Sequence, residues 1–235
     1  MTNKKKIAAL LLAFWFSANA NANIILNEWV LNINGSVSES ANGDELPGIS
    51  SSLNSAGLGN ITLEFTNPGD YFALAYFDFE IDEANNTFFN EYGSVFGTPS
   101  EGQSWEIDEP GYIFGDIYDN VFDGFLDNTN SVPENSNDDV SFAIGWDFTL
   151  LNDQIASLSF TLSDMLNTSG FHLLHVDDEV GSSFSDTETV YFWSALSIED
   201  TNVNPPSEAN APSIFALLIA SVAFLVVRKK SSVKH

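Results

Sequence analysis

The stretch Tyr71-Phe72-Ala73-Leu74-Ala75-Tyr76-Phe77-Asp78-Phe79-Glu80-Ile81-Asp82 decides the fold class of this 235-residue chain. Side chains of an extended chain alternate between two faces. Tyr71, Ala73, Ala75, Phe77, Phe79 and Ile81 make one of those faces apolar. The other starts with Phe72, Leu74 and Tyr76 and ends with Asp78, Glu80 and Asp82. Three carboxylates thus project from one side at ~7 Å spacing, about twice the strand rise. They repel one another unless water or a cation lies between them.

The same period of two extends in both directions along the chain. Upstream, Ile61, Leu63 and Phe65 alternate with Thr62, Glu64 and Thr66, and the run stops at the turn signal Asn67-Pro68-Gly69-Asp70. In Ile24–Ile33, the pattern puts Ile25, Trp29, Leu31 and Ile33 on one face and Glu28 and Asn32 on the other. Residues 35–59, rich in Gly, Ser and Asn, read as a loop. Downstream, Val140, Phe142, Ile144, Trp146, Phe148 and Leu150 point inward. After an Asn152-Asp153 turn, Ala156, Leu158, Phe160 and Leu162 do the same. Further strands are expected at Phe171–Val176 and Thr189–Ile198, and helical periodicity is nearly absent before the C-terminal tail. Short strands separated by Gly, Pro, Asn and Asp predict an all-β fold. The expected form is an antiparallel β-sandwich over residues 23–201, with the jelly roll as one candidate arrangement.

Charge narrows the function further. The basic residues are Lys4, Lys5, Lys6, Arg228, Lys229, Lys230 and Lys234, whereas all 33 acids fall between Ile7 and Val227. That window carries a formal charge of −33, with His172 and His175 as its only cationic candidates. It has nothing with which to neutralise phosphates, which excludes nucleic acid and anionic membrane surfaces as partners. Self-repulsion weakens the compact state unless salt screens it within a Debye length of about 8–10 Å or divalent cations occupy sites. Cysteine is absent, so no disulfide contributes. The 20 Phe and 44% hydrophobic content nevertheless supply enough apolar surface to fold.

The two ends read as targeting segments. Lys4-Lys5-Lys6, the apolar run Ile7–Phe16 and Ala20-Asn21-Ala22 have the layout of a secretory signal over residues 1–22. Cleavage is expected after Ala22, or after Ala20 if Ala18-Asn19-Ala20 is used instead. At the other end, a polar linker over residues 202–212 precedes a segment, 213–235, that reads as a short transmembrane helix with a basic tail. Its apolar run Ile214–Val227 would be roughly 21 Å long as a helix, short of the ~30 Å hydrocarbon core. Arg228, Lys229 and Lys230 act as the membrane stop and place the C-terminal end in the cytoplasm.

The order Asn210-Ala211-Pro212, short apolar helix, basic cluster resembles the PEP-CTERM sorting signal of exosortase substrates. The resemblance covers residues 202–235 and departs from the family pattern in having Asn210-Ala211-Pro212 in place of Pro-Glu-Pro. It implies passage through the export machinery, a transient inner-membrane anchor, and processing by an exosortase-type enzyme. Delivery to the cell surface or to extracellular polysaccharide would follow. The blocks Asn86–Gly93, Trp105–Asn120, Leu126–Asn130 and Gly145–Phe148 resemble cargo domains of the same sorting family, which carry no assigned chemistry.

The acidic middle contains an internal echo. Phe79-Glu80-Ile81-Asp82-Glu83 and Trp105-Glu106-Ile107-Asp108-Glu109 match at an offset of 26, continued by Phe88/Phe114 and Tyr92/Tyr118. One reading is a repeated strand with aromatic in and acid out. The other is a pair of acidic segments that converge on calcium, a hard cation taking 6–8 oxygen ligands. The candidate ligands are Asp78, Glu80, Asp82, Asp108, Asp116 and Asp119, among Gly and Asn residues. They fit no EF-hand, since a loop begun at Asp78 puts Ala84 at the glycine position and Phe89 at that of the bidentate Glu.

Nucleophilic catalysis finds no support. There is no Cys and no Gly-x-Ser-x-Gly elbow, and His172 and His175 point to opposite faces of a strand. Glycoside hydrolysis needs only two carboxylates, but among 33 acids no pair stands out. Trp29 and Trp146 lie on inward faces, leaving Trp105 and Trp193 as candidates for stacking a sugar ring. The expectation is a non-enzymatic exported protein with a structural or adhesive role. The alternative is a polysaccharide-active enzyme or carbohydrate-binding module on a jelly-roll scaffold.

Overall fold

The computed structural model describes residues 23–46, 50–82, 87–111, 114–166, 170–178 and 187–201. The strands in chain order begin with β1 (Ile24–Ile33), β2 (Ser36–Glu39), β3 (Ser50–Ser51), β4 (Gly59–Phe65) and β5 (Gly69–Ile81). They continue with β6 (Glu91–Phe96), β7 (Gln103–Asp108), β8 (Ser141–Leu150), β9 (Gln154–Ser163), β10 (His172–Asp177) and β11 (Glu188–Asp200), and α1 (Ile117–Asp123) lies between β7 and β8. Two antiparallel sheets result. The first runs β2-β1-β5-β8-β7 and the second β3-β4-β9-β11-β10-β6. The all-β, sandwich-like architecture follows from their packing face to face.

The alternation read from the sequence sets the interior. Phe77, Phe79, Phe142, Ile144, Trp146 and Ile107 of the first sheet meet Ile61, Leu63, Leu158, Phe160, Leu173 and Phe192 of the second in one buried cluster. Phe192 joins both layers, stacked on Phe142 at 5.1 Å and edge-on to Phe77 at 5.1 Å. A second, smaller core explains why β5 is apolar on both faces. Val30, Leu74, Tyr76 and Ala143 on the outer face of the first sheet are covered by Ile117 and Val121 of α1 and by Leu126.

Three expectations need correction. Ile25 is 44% exposed rather than inward, because the register of β1 against β5 shifts between Leu26 and Glu28. This β-bulge exchanges the faces, so Ile24 and Leu26 pack on the core before it and Trp29 and Leu31 after it. The segment 35–59 is not all loop: β2 pairs with β1 across Asn34-Gly35, both at positive φ (51° and 81°). That is the backbone an Asn-Gly hairpin turn requires. Finally, α1 exists where no helix was expected. Its Ile117 and Val121, four residues apart, lie on one face, and its end is sealed by Asn32, whose Nδ2 donates to Val121 O (2.8 Å) and Phe122 O (3.1 Å).

Among the described residues no helix is long and apolar enough to cross a membrane. Both apolar runs, Ile7–Phe16 and Ile214–Val227, lie outside them, as do Ala20, Ala22, Asn210, Ala211, Pro212, Arg228, Lys229 and Lys230.

Candidate functional site

The outer face of the first sheet gathers the acids. Strand alternation puts Glu106 and Asp108 of β7 on that face, and the register continues it across the sheet: Asp108 opposes Ser141 of β8, which opposes Asp78 of β5. The segment before α1 then folds back over β7. Asp116 N–H donates to Asp108 Oδ2 at 3.0 Å. The approach requires glycine at position 115, because a Cβ there would stand 2.0 Å from Glu109 O and 3.1 Å from Asp108 Oδ2.

Glu106, Asp108 and Asp116 thereby converge, with one carboxylate oxygen of each within 4.8 Å of the others. Glu106 is 1% exposed. Its Oε1 accepts from Asn120 Nδ2 at 2.9 Å and its Oε2 from Asp127 N–H at 3.0 Å, which ties α1 and the segment after it to β7. Burial pushes the Glu106 carboxyl up to about 7, outweighing the two hydrogen bonds that favour its ionised form. Burial also raises Asp108, and the Asp116 carboxyl beside it adds to the effect. Each Glu106 oxygen keeps a further lone pair, so the three residues can present oxygen to a hard cation. Water and main-chain carbonyls would complete a shell of 6–8.

The six residues expected as ligands therefore divide. Asp108 and Asp116 meet, and Glu106 joins them. Asp78 and Glu80 share the outer face but stand on β5, with β8 between them and β7. Asp78 is 3% exposed. Its Oδ2 accepts from Asn27 Nδ2 at 2.9 Å, and its Oδ1 has no hydrogen-bond partner among the described residues. Burial, reinforced by Asp139, Glu80 and Glu28, holds Asp78 well above the usual carboxylate range. Asp82 follows the end of β5 in left-handed backbone (φ 52°), and Asp119 is exposed on α1. The signal for Glu106 was its place in the echo, one alternation before Asp108.

The histidines part as alternation requires. His172 packs tilted against Phe96 with ring centres 4.9 Å apart, while His175 is wholly buried, with Nε2 2.7 Å from Glu91 Oε2. Burial pushes its imidazole down to about 4 despite the opposing charges of Asp139, Asp177 and Glu80. Of the two tryptophans expected to stack a ligand, Trp105 packs against the core beside Phe171. Trp193 is half-buried and lines a cleft with Trp146, Gln103 and Ser194.

No family model matches this sequence, no curated protein matches it, and no solved structure matches its fold.

Proposed function

We propose that this chain is an exported, non-enzymatic protein with a structural or adhesive role at the cell surface or in the extracellular matrix. On this reading it is sorted by an exosortase-type system and its sandwich is reinforced by calcium. The observation that carries the calcium reading is the convergence of Glu106, Asp108 and Asp116 within 4.8 Å, in a domain without one Lys or Arg to offset them. Three carboxylates at that distance do not all ionise without a counter-charge, and calcium supplies it with the oxygen chemistry present. Export and sorting rest on the signal layout of residues 1–22 and on the tail from Asn210 to Lys230. The jelly roll belongs to the same proposal, supported by the crossings between sheets from β4 to β5 and from β8 to β9.

The test is a melting curve of the full-length chain at fixed ionic strength, with calcium against magnesium. A calcium-selective rise is expected, worth about 2.7 kcal/mol at a hundredfold excess over the dissociation constant. Glu106→Gln and Asp108→Asn should each remove it. An equal response to magnesium, or to salt alone, would sink the calcium reading. Retention of surface delivery after deletion of Asn210–Pro212 would sink the sorting reading.

A further inference from the structure

The two outer faces of the sandwich differ in charge. On the first sheet, Glu28, Asp78, Glu80, Glu106 and Asp108 share the outer face. On the second, Phe160, Leu173 and Phe192 point into the core, so alternation sends their strand neighbours Thr161, His172 and Trp193 outward. The strand residues of that outer face include carboxylates only at Glu64 and Glu199, both at one end beside Ile155. Away from that end the face is built of hydroxyl, amide, aliphatic and aromatic groups.

One row of this face crosses five strands. Phe96 of β6 opposes His172 of β10, Trp193 of β11 opposes Thr161 of β9, and Thr161 opposes Asn60 of β4. The register that pairs Leu173 with Phe192 brings His172 level with Trp193. Four strand-to-strand steps of about 4.8 Å make the row roughly 19 Å long. On one side, Phe96 is 54% exposed and lies over His172, with half-buried Trp193 one strand further on. On the other, Thr161 Oγ1–H donates to Asn60 Oδ1 at 3.0 Å, and Asn60 Nδ2–H donates to Thr62 Oγ1 at 3.3 Å. This chain of bonds leaves the Thr62 hydroxyl proton and the second Asn60 N–H to donate, and the Thr161 oxygen to accept.

We propose that this row binds a neutral polysaccharide chain laid across the strands. A sugar ring offers a C–H face to the Phe96 ring, and its hydroxyls both donate and accept, as the Asn60, Thr62 and Thr161 groups require. An acidic polymer, or a second copy of this chain, would enter a field of like charge with no Lys or Arg to compensate. A basic partner would be drawn to the acidic face of the first sheet instead. A purely apolar partner would leave the amide and hydroxyls unpaired. The inference gives the adhesive role a ligand and is independent of the calcium site, which lies on the opposite outer face.

The test titrates the full-length chain, in a detergent without a sugar head group, with a soluble neutral glucan, mannan and galactan, read by calorimetry. Polygalacturonate is the charged comparator. Saturable binding of at least one neutral polymer is expected, with none of the polygalacturonate. Phe96→Ala should weaken binding by about tenfold or more, and Thr161→Val, which keeps the shape and removes the hydroxyl, should weaken it as well. Phe125→Ala, at a similarly exposed ring beside α1 (48%), should leave it unchanged. Absence of saturable binding across the neutral panel would overturn the proposal. So would equal binding of polygalacturonate, or equal losses in the Phe96 and Phe125 variants. Sedimentation of the ligand-free chain supplies one more check: a dimer that Phe96→Ala abolishes would assign the face to a second copy and overturn the proposal too.

Discussion

Glu106 and His175 pull stability in opposite directions with pH. The Glu106 carboxyl sits at about 7 in the fold against 4.5 when unperturbed. The folded state therefore keeps a proton that the unfolded chain releases. Its contribution is complete below about pH 4.5 and is lost as pH rises through 7, an effect on the order of 3 kcal/mol. His175 is depressed from 6.5 to about 4, so the unfolded chain binds the extra proton, and stability is lost as pH falls from 6.5 towards 4. Asp78 and Asp108 are raised like Glu106 and add to its sign. The calcium-free protein should therefore melt at a lower temperature at pH 7.5 than at pH 5. Glu106→Gln should flatten that slope, and His175→Gln should steepen it. Saturating calcium, which holds the ionised carboxylates, should cancel most of it. Identical slopes for wild type and Glu106→Gln would show that the buried carboxyl has no such role.

At the scale of elements, α1 decides whether the outer face of the first sheet is a core or an exposed acidic surface. Ile117 is fully buried beneath it, beside Asp116 and four residues from Val121. Ile117→Ala should cost about 2–5 kcal/mol, as large-to-small core changes do, and should also weaken the calcium response by loosening Asp116. A normal calcium response in a destabilised variant would separate helix packing from the site. The long strands were legible because β5, β8 and β9 keep period two over many residues. The bulge in β1 was not, since one inserted residue leaves composition unchanged while exchanging faces. The helix α1 is only seven residues long, too short for its period to emerge between turn signals. The Asn34-Gly35 hairpin did leave a signal, the dipeptide itself. The site was legible in residue type but not in pairing. The 26-residue echo aligns Asp82 with Asp108 along the sequence, whereas the sheet register aligns Asp78 with Asp108 through Ser141.

For the whole molecule, the question is how a window of formal charge −33 with no Lys or Arg stays folded. His175 and Glu91 stand at ion-pair distance, but burial keeps that imidazole neutral near pH 7. Stability therefore rests on the two apolar cores against a repulsion that solvent ions can screen. Shortening the Debye length from about 30 Å at 0.01 M salt to about 8 Å at 0.15 M should raise the melting temperature of the calcium-free protein, and of Glu106→Gln by a similar amount. Calcium held by partly buried carboxylates is screened much less, so its increment in wild type should survive at 0.15 M salt while Asp108→Asn shows none. If the calcium increment instead shrinks in step with the salt response and persists in Asp108→Asn, the ion acts on the diffuse surface charge. The convergence of Glu106, Asp108 and Asp116 would then serve only to pin α1 to the sheet.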